Sequence, residues 1–399
     1  MPTIKEPSRE IELKKSYDVI VAGGGVAGVA SALSAAREGA SVLLLERSYM
    51  LGGLATSGLV TIYLPLCDGE GRQVSYSIAE ELLLESIKYG IEDKEPTPWL
   101  NGGTLEEKKK CRYEVRFNAN MCAILYEQLL KKNGVDIMYG TSVCSVKVSR
   151  QKIKAVIVEN KSGRYAYGCR SVVDCTGDAD ICKLSGEETS LFKQGNVLAS
   201  WYYFVDKGKY DLCMLGFSDI PDKYKKNAEK EDNRRRYGGL DADELSEMTI
   251  NAHENILQNY VEHHGKCDKD TAMASIATTP QIRMTRRLKG LYEIDDTEMH
   301  KFFKNSIGMV SDWRKPGPVY EMPFECLHGE KIKNLITAGR CISVTDDMWD
   351  VSRVIPVCAV TGEAAGLAAA MTDNFCNISI TKLQKKLVNR GVILHEKDL

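Results

Sequence analysis

A chain of 399 residues, 43% of them hydrophobic, can bury a large core and has room for two domains. Charged residues make up 27% and the formal net charge is −2, so no excess of either sign points to nucleic acid or an anionic membrane as partner. No apolar run reaches the roughly 18 residues of a membrane-crossing helix. Residues 1–15 are polar and charged without an apolar signal core, which predicts a cytoplasmic protein.

Thirteen cysteines, an odd number without C-x-x-C spacing, fit buried free thiols in a reducing compartment. Of six histidines only His263 and His264 are adjacent, so no metal site is expected.

In chain order, residues 17–22 (YDVIVA) are a short apolar run of the kind a buried parallel strand takes. Gly23, Gly25 and Gly28 then spell G-x-G-x-x-G where that strand must turn into a helix. The first glycine permits the turn, the second admits a pyrophosphate to the backbone, and the third lets helix and strand pack closely. An alanine-rich helix to about Arg37 follows, then a second strand at 41–45 that closes on Glu46. A carboxylate at that point suits a ribose 2′-hydroxyl, and the ordered set predicts a dinucleotide site. Arg47, a short spacer and Gly52-Gly53-Leu54-Ala55-Thr56 resemble the extended motif of two-dinucleotide-domain flavoproteins, in which a second glycine pair returns to the pyrophosphate. That resemblance implies FAD rather than NAD.

Residues 56–116 read as an insertion with one helix at about 77–88, and Lys108 to Lys110 as solvated charge. Asn118 is a predicted N-cap for a helix to Lys132, stopped by Gly134. A parallel strand at 135–139 is expected next. Three alternating runs near 142–148, 154–159 and 164–169 then predict an antiparallel meander. Residues 171–174 return to the parallel sheet before Cys175-Thr176-Gly177-Asp178. From about 186 to 331 the pattern changes, with an aromatic strand at 201–205, a long helix at 241–264 and the arginine-rich QIRMTRRLKG. The basic run 234–236 reads as exposed surface. No Gly/Pro/Ser-rich linker flanks this region, so an inserted domain fed by two crossings is expected. The chain returns with a strand and glycine turn at 334–340, and Pro356 opens the small-residue helix VCAVTGEAAGLAAAM. The expected fold is α/β: a Rossmann-like FAD-binding domain (residues 1–185 and 332–399, parallel sheet plus β-meander) with an inserted α+β substrate domain (186–331).

These segments together resemble the FAD-dependent oxidoreductase family, related to the fumarate reductase and succinate dehydrogenase flavoproteins. The resemblance rests on the glycine motif, ERSYMLGGLATSGLV, VVDCTGDAD, QIRMTRRLKG, YEMPFECL, NLITAGRCIS and SRVIPVCAVTGEAAGLAAA in this order. It implies that Gly23, Gly25 and Gly28 hold the pyrophosphate and Glu46 the adenosine ribose, with Val26, Ala27 and Arg47 also among the cofactor-binding residues. Gly52, Gly53 and Thr56 would line the ribityl–pyrophosphate side, with Leu54 and Ala55 also cofactor-binding, and Thr176, Gly177 and Asp178 would also lie near the cofactor. Val143 is a candidate for a backbone contact to adenine. Gly339 and Arg340 would form a third FAD-contacting turn, and the helix after Pro356 would end near the isoalloxazine. Two positions depart from the family pattern: Asp346 stands where a histidine is common, and Met284 where a glutamate is.

No second G-x-G-x-x-G, no cysteine pair after Gly52-Gly53 and no histidine between Glu46 and Val60 are present. A built-in NAD(P)H domain, a redox disulfide and covalent flavin attachment through that stretch are therefore not expected. The resulting expectation is non-covalent FAD exchanging hydride with a hydroxyl- or amine-bearing carbon, reoxidised by an external acceptor, with Arg353, Arg286 and Asp346 at the substrate. Reduction of an activated C=C bond and a non-redox FAD-binding role are the alternatives. The oligomeric state is open.

Overall fold

The computed structural model describes residues 3–5, 7–217 and 234–399. Its centre is the strand β1 (Leu13–Ala22), which pairs in parallel with β2 (Val42–Leu45), itself parallel to a further strand at Asp136–Met138. Between β1 and β2 runs α1 (Val26–Arg37). The 56–116 insertion supplies β3 (Ile62–Tyr63), α2 (Ile78–Ser86), the short helices α3 (Thr97–Leu100) and α4 (Leu105–Lys110), and β4 (Val115–Arg116), which pairs with β3. Lys108, Lys109 and Lys110 close α4, whose Thr104–Glu107 capping box fixes its start. Helix α5 (Ala119–Lys132) begins where Asn118 accepts from the Met121 N–H, and the Asp136–Met138 strand, β5, follows it.

The meander is β6 (Ser142–Ser149), β7 (Lys152–Asn160) and β8 (Gly163–Asp174). The sequence suggested separate strands at 164–169 and 171–174; the structure makes them one. Along β8, the first half pairs antiparallel with β7 and the last three residues pair in parallel with β16 (Leu335–Thr337), while β1 runs along the other edge. One long strand thus serves both the meander and the parallel sheet. Both faces of the sheet are covered: Val19 and Val21 point into one core with Leu33 and Leu367, and Ile20 and Ala22 into another with Leu43 and Val172.

After α6 (Asp180–Ser185), β9 (Thr189–Leu191) pairs antiparallel with a strand at Arg286–Leu288. The aromatic strand β10 (Ser200–Asp206) is the centre of an antiparallel sheet with β11 (Lys209–Leu215) and β12 (Thr271–Ile276); the Arg286–Leu288 strand is β13. Helix α7 (Ala242–His264) covers that sheet through Ile256 and Tyr260 against Tyr202. The hairpin β14 (Ser306–Ser311) and β15 (Val319–Pro323) instead joins the main core through Ile307, Val310, Tyr320 and Met322.

The chain ends with α8 (Asp346–Ser352), α9 (Ile355–Met371) and α10 (Ile380–Asn389). Helix α9 is buried on nearly every side and lies against α1. A Cβ at Gly362 would stand 2.5 Å from the Ala27 carbonyl oxygen, and one at Gly366 2.1 Å from that of Ser31. Ser31 and Ser34 donate their hydroxyls across the contact to the Gly362 and Glu363 carbonyls. Dense glycine and alanine, unfavourable in a lone helix, here allow backbone contact. No single helix among the described residues is long and apolar enough to cross a membrane.

Candidate active site

The first turn is shaped by its glycines. Gly23 has φ +98°, and a Cβ at Gly28 would lie 1.8 Å from the Gly23 carbonyl oxygen, so any side chain there forces the strand and α1 apart. At Gly25, by contrast, a Cβ would meet nothing within 4 Å. The second glycine pair comes back to this turn: the Gly52 N–H donates to the Gly24 carbonyl at 2.8 Å, and Gly25 and Gly52 form a parallel bridge. Glu46 is buried and closes the arrangement, its Oε2 accepting from the Gly24 N–H at 2.7 Å and its Oε1 from the Ser48 N–H and hydroxyl, each at 2.7 Å.

These elements border a cavity of about 510 Å³, within the usual range for ligand sites. Gly23, Gly25, Val26, Ala27, Glu46 and Arg47 line one part of it, and Gly52, Gly53, Leu54, Ala55 and Val143 another. Thr176, Gly177, Asp178, Arg340 and Arg353 also line it. Four predicted cofactor residues do not reach the wall. Gly28 lies behind the turn at the α1–β1 contact, and Thr56 donates its hydroxyl to the Leu51 carbonyl and braces the second turn. Gly339 packs on Ala27 and Pro356 is buried in the first turn of α9, whose neighbours Val354, Ile355 and Cys358 do face the cavity.

Around the third loop, Asp178 accepts from the Thr285 hydroxyl at 2.7 Å, and Arg340 reaches the Arg283 carbonyl at 2.6 Å. Asp180 lines the cavity and is pushed up to about 6, first by burial and then by the charges of Asp178 and Asp174, against the pull of Arg286 and Arg47.

Two of the three predicted substrate residues are elsewhere. Arg286, on β13, donates to the Asp178 carbonyl at 2.8 Å and to Asp180 at 2.6 Å, off the cavity wall. Asp346, at the start of α8, accepts from Arg287 Nη1 at 2.7 Å and is likewise absent from the wall. The reason is pairing: β13 lies antiparallel on β9, so that Arg286 is spent on Asp180, which itself lines the cavity, and Arg287 on Asp346, which does not. Arg353 is on the wall, with Nη2 donating to Asp350 at 3.0 Å and its guanidinium 5.5 Å from the Trp313 ring centre.

Sequence reasoning passed over Arg283, Trp201, Phe217 and Trp313. Arg283 is buried on the cavity wall with its guanidinium 5.0 Å from the Trp201 ring centre. The segment that carries it is tied to the second glycine turn, since Thr278 N–H donates to the Ser57 carbonyl at 2.8 Å and Gln281 to the Gly58 carbonyl at 2.7 Å. The QIRMTRRLKG motif was the available signal, but nothing in it separates Arg283 from Arg286. Among the described residues no cluster of His, Cys, Asp and Glu could hold a metal ion.

A dinucleotide-binding α/β fold whose glycine turns open on a cavity with space at Gly25 defines a nucleotide-cofactor enzyme. The family comparison makes this specific: the model for FAD dependent oxidoreductases matches residues 18–197 and 196–387, and the chain belongs to that family. It is an oxidoreductase and its cofactor is FAD. Over 76 residues it is 43% identical to a vinyl phenol reductase of Lactiplantibacillus plantarum, a match covering 18% of this chain and 15% of that protein. Over 131 residues it is 35% identical to a glutathione reductase of Debaryomyces hansenii, covering 32% and 24%. The chain therefore spans under a quarter of these curated relatives' own lengths. Among solved structures, a geranylgeranyl bacteriochlorophyll reductase-like protein from Thermoplasma acidophilum aligns with a TM-score of 0.52 at 13% identity, over 94% of this chain and 84% of that one, a likeness of fold.

Proposed function

We propose that this enzyme exchanges a hydride between the N5 of non-covalently bound FAD and a small organic substrate, with an external redox partner completing the cycle. The observation that carries the reading is that one cavity is lined both by the glycine turns and by Arg283 and Arg353. In this reading the backbone at Gly25 and the first turn of α1 holds the pyrophosphate. Glu46 takes the ribose, and Gly52 to Ala55 face the ribityl chain. When bound, FAD supplies two-electron chemistry at N5. Arg353 and the N-terminus of α9, both at the cavity, would supply positive charge toward a bound cofactor's ring. The antiparallel β10–β12 sheet with α7 is the proposed cap that holds substrate and excludes water.

Two directions fit this scheme. The sequence favours oxidation of a carbon bearing a hydroxyl or amine, which needs a base to take the second proton. The pairing of Asp346 with Arg287, off the cavity wall, removes the residue expected to exchange that proton in either direction, since oxidation needs a base there and reduction of an activated C=C bond needs an acid. The local similarity to a vinyl phenol reductase supports reduction of an activated C=C bond as the second reading.

Anaerobic spectroscopy tests the reading. Flavin bleached by an alcohol, hydroxy acid or amine would identify oxidation, and chemically reduced flavin reoxidised by an unsaturated compound would identify reduction. A flavin inert to both panels would overturn the proposal.

A further inference from the structure

The geometry points to Arg340 as a clamp that grips the FAD pyrophosphate with one edge of its guanidinium and residues 282–283 of the middle region with the other, so that cofactor occupancy stiffens that segment. The inference rests on the placing of the pyrophosphate at the first glycine turn in the reading above. It goes beyond that reading by naming the group that transmits occupancy to the middle region.

Two contacts fix where Arg340 stands. Gly339, which precedes it, packs on α1, and a Cβ there would lie 2.7 Å from that of Ala27. On its other side the guanidinium lies across Gly177, where a Cβ would stand 2.1 Å from Nη2 and 3.3 Å from Nε. The chain just before Gly177 presses on the first glycine turn, since a Cβ at Gly23 would lie 2.4 Å from the Cys175 carbonyl oxygen. Arg340 thus stands between two segments that both touch the turn assigned to the pyrophosphate, and it lines the same cavity as Gly23, Gly25 and Ala27. Gly177, at φ +84°, leaves the space the guanidinium fills.

The donors of Arg340 divide between two directions. Nη1 donates to the Arg283 carbonyl at 2.6 Å and to the Ile282 carbonyl at 3.4 Å. Nε and Nη2 donate to no described residue, and neither is sealed from the cavity. Asp178, 3.9 Å from Nη1, is beyond hydrogen-bond reach and accepts from the Thr285 hydroxyl instead. Five N–H donors in a rigid fork let one guanidinium bond carbonyls at one edge and an anion at the other. The diphosphate is where FAD carries its negative charge, so it is the group that completes the second edge.

The segment at the first edge is part of the wall. Pro280, Ile282 and Arg283 face the cavity, and Thr278 and Gln281 tie the segment to the second glycine turn. An anion at Nε and Nη2 fixes the guanidinium and, through Nη1, the carbonyls of Ile282 and Arg283. Binding and stiffening then share one coupling free energy, and each favours the other. Thr285 and Arg286 also join this stretch to Asp178, so a variant of Arg340 is needed to isolate its share.

Titration calorimetry and amide hydrogen exchange on the flavin-stripped chain test the clamp without turnover. The probes are ADP, which carries a diphosphate, and adenosine, which does not. At saturation ADP should slow exchange across residues 281–284 by roughly 5–150-fold, the ordinary range of coupling between sites, while adenosine at equal occupancy leaves it unchanged. Arg340→Gln should raise the ADP dissociation constant about 10–100-fold, the loss expected for charge-assisted bonds, and leave that of adenosine unchanged. The same variant should lose the protection at 281–284. Arg340→Lys should regain part of the affinity and none of the protection, because a point charge cannot bond both edges. Equal protection by adenosine, protection that survives in Arg340→Gln, or unchanged ADP affinity in that variant would overturn the proposal. Should Arg340→Gln fail to fold, Arg340→Lys carries the same comparison. Gly25→Ala separates the clamp from the reading beneath it. ADP affinity lowered by Gly25→Ala and untouched by Arg340→Gln defeats the clamp alone, and affinity that neither variant lowers defeats the placing of the pyrophosphate as well.

Discussion

Glu46 Oε2 accepts a hydrogen bond from the Gly24 N–H at 2.7 Å, so the acid that ends β2 also fixes the turn that ends β1. Its other oxygen is held by Ser48, which aims the carboxylate before any cofactor binds. Glu46→Ala removes both supports. The FAD dissociation constant should rise about 10–100-fold, the equivalent of losing a bond to a charged group worth about 1.5–3 kcal/mol. Equilibrium dialysis against free FAD measures this, and wild-type affinity in the variant would take Glu46 out of cofactor binding.

Two glycines of the same turn should fail differently. Gly25 has φ −65° and open space where a Cβ would go, so Gly25→Ala should keep the melting temperature of the apo protein while lowering FAD occupancy. At Gly28 a Cβ would lie 1.8 Å from the Gly23 carbonyl oxygen, so Gly28→Ala should lower the melting temperature and the FAD content together. Flavin absorbance after desalting, read beside a thermal melt, separates the two. Matching behaviour would contradict the split.

Arg286 and Asp346 should behave as structural partners. Arg286→Ala leaves Asp180 without its ion pair at 2.6 Å, which pushes that carboxyl further above about 6 and disturbs the loop at Asp178. FAD affinity should fall, read by equilibrium dialysis. Asp346→Asn takes one carboxylate from the buried Arg287, which keeps Glu293 at 3.5 Å, and should lower the melting temperature more than loss of a surface pair would. Loss of substrate-driven flavin reduction in Asp346→Asn with normal FAD content would return that residue to catalysis.

Stability should depend on Glu363. This buried carboxylate of α9 accepts from the Ser77 hydroxyl at 2.8 Å and the Ile78 N–H at 3.1 Å, capping α2 from a distant part of the chain. Burial pushes it up from 4.5 to about 7, partly offset by those bonds and by the charges of Arg390 and Arg37. Between these two values the folded carboxyl keeps a proton that the unfolded chain has released. Its contribution is therefore fully present below about 4.5, declines as pH rises and is gone above about 7, a change on the order of 3 kcal/mol. Denaturant melts from pH 5 to 8 should show this decline in the wild type and a flatter profile in Glu363→Gln. Parallel profiles would assign the titration to other groups.

Electron delivery by nicotinamides should be slow. The middle region is built on the antiparallel β11–β10–β12 sheet, and among the described residues it contains no second strand–glycine turn–helix unit. Stopped-flow mixing with NADH or NADPH should show no fast, saturable flavin reduction. Rapid saturation would reveal a nicotinamide site that this topology does not suggest.

Much of the cofactor end was legible in the sequence because local rules govern it. Strand, glycine spacing, helix and terminal acid follow one another within about 30 residues, and each requirement is met by a residue type: positive φ at Gly23, close approach at Gly28, an acceptor at Glu46. The helix starting after Asn118 and the meander were equally readable, from a cap and from alternation. The rest of the cavity wall obeys no such local rule. Arg283 and Arg286 stand three residues apart in one motif, and the short β9–β13 pairing together with the contact between residues 278–281 and the second glycine turn decides which of them meets the cavity. Glu363 looks like an ordinary helical acid until α9 packs its backbone on α1 and buries it under the first turn of α2. Sequence by itself determined the dinucleotide fold and its FAD turns, because these are local backbone demands. Which arginine lines the cavity, which acids are spent on pairing and which carboxyl is buried were decided only by the tertiary structure, because burial and charge pairing depend on segments far apart in the chain.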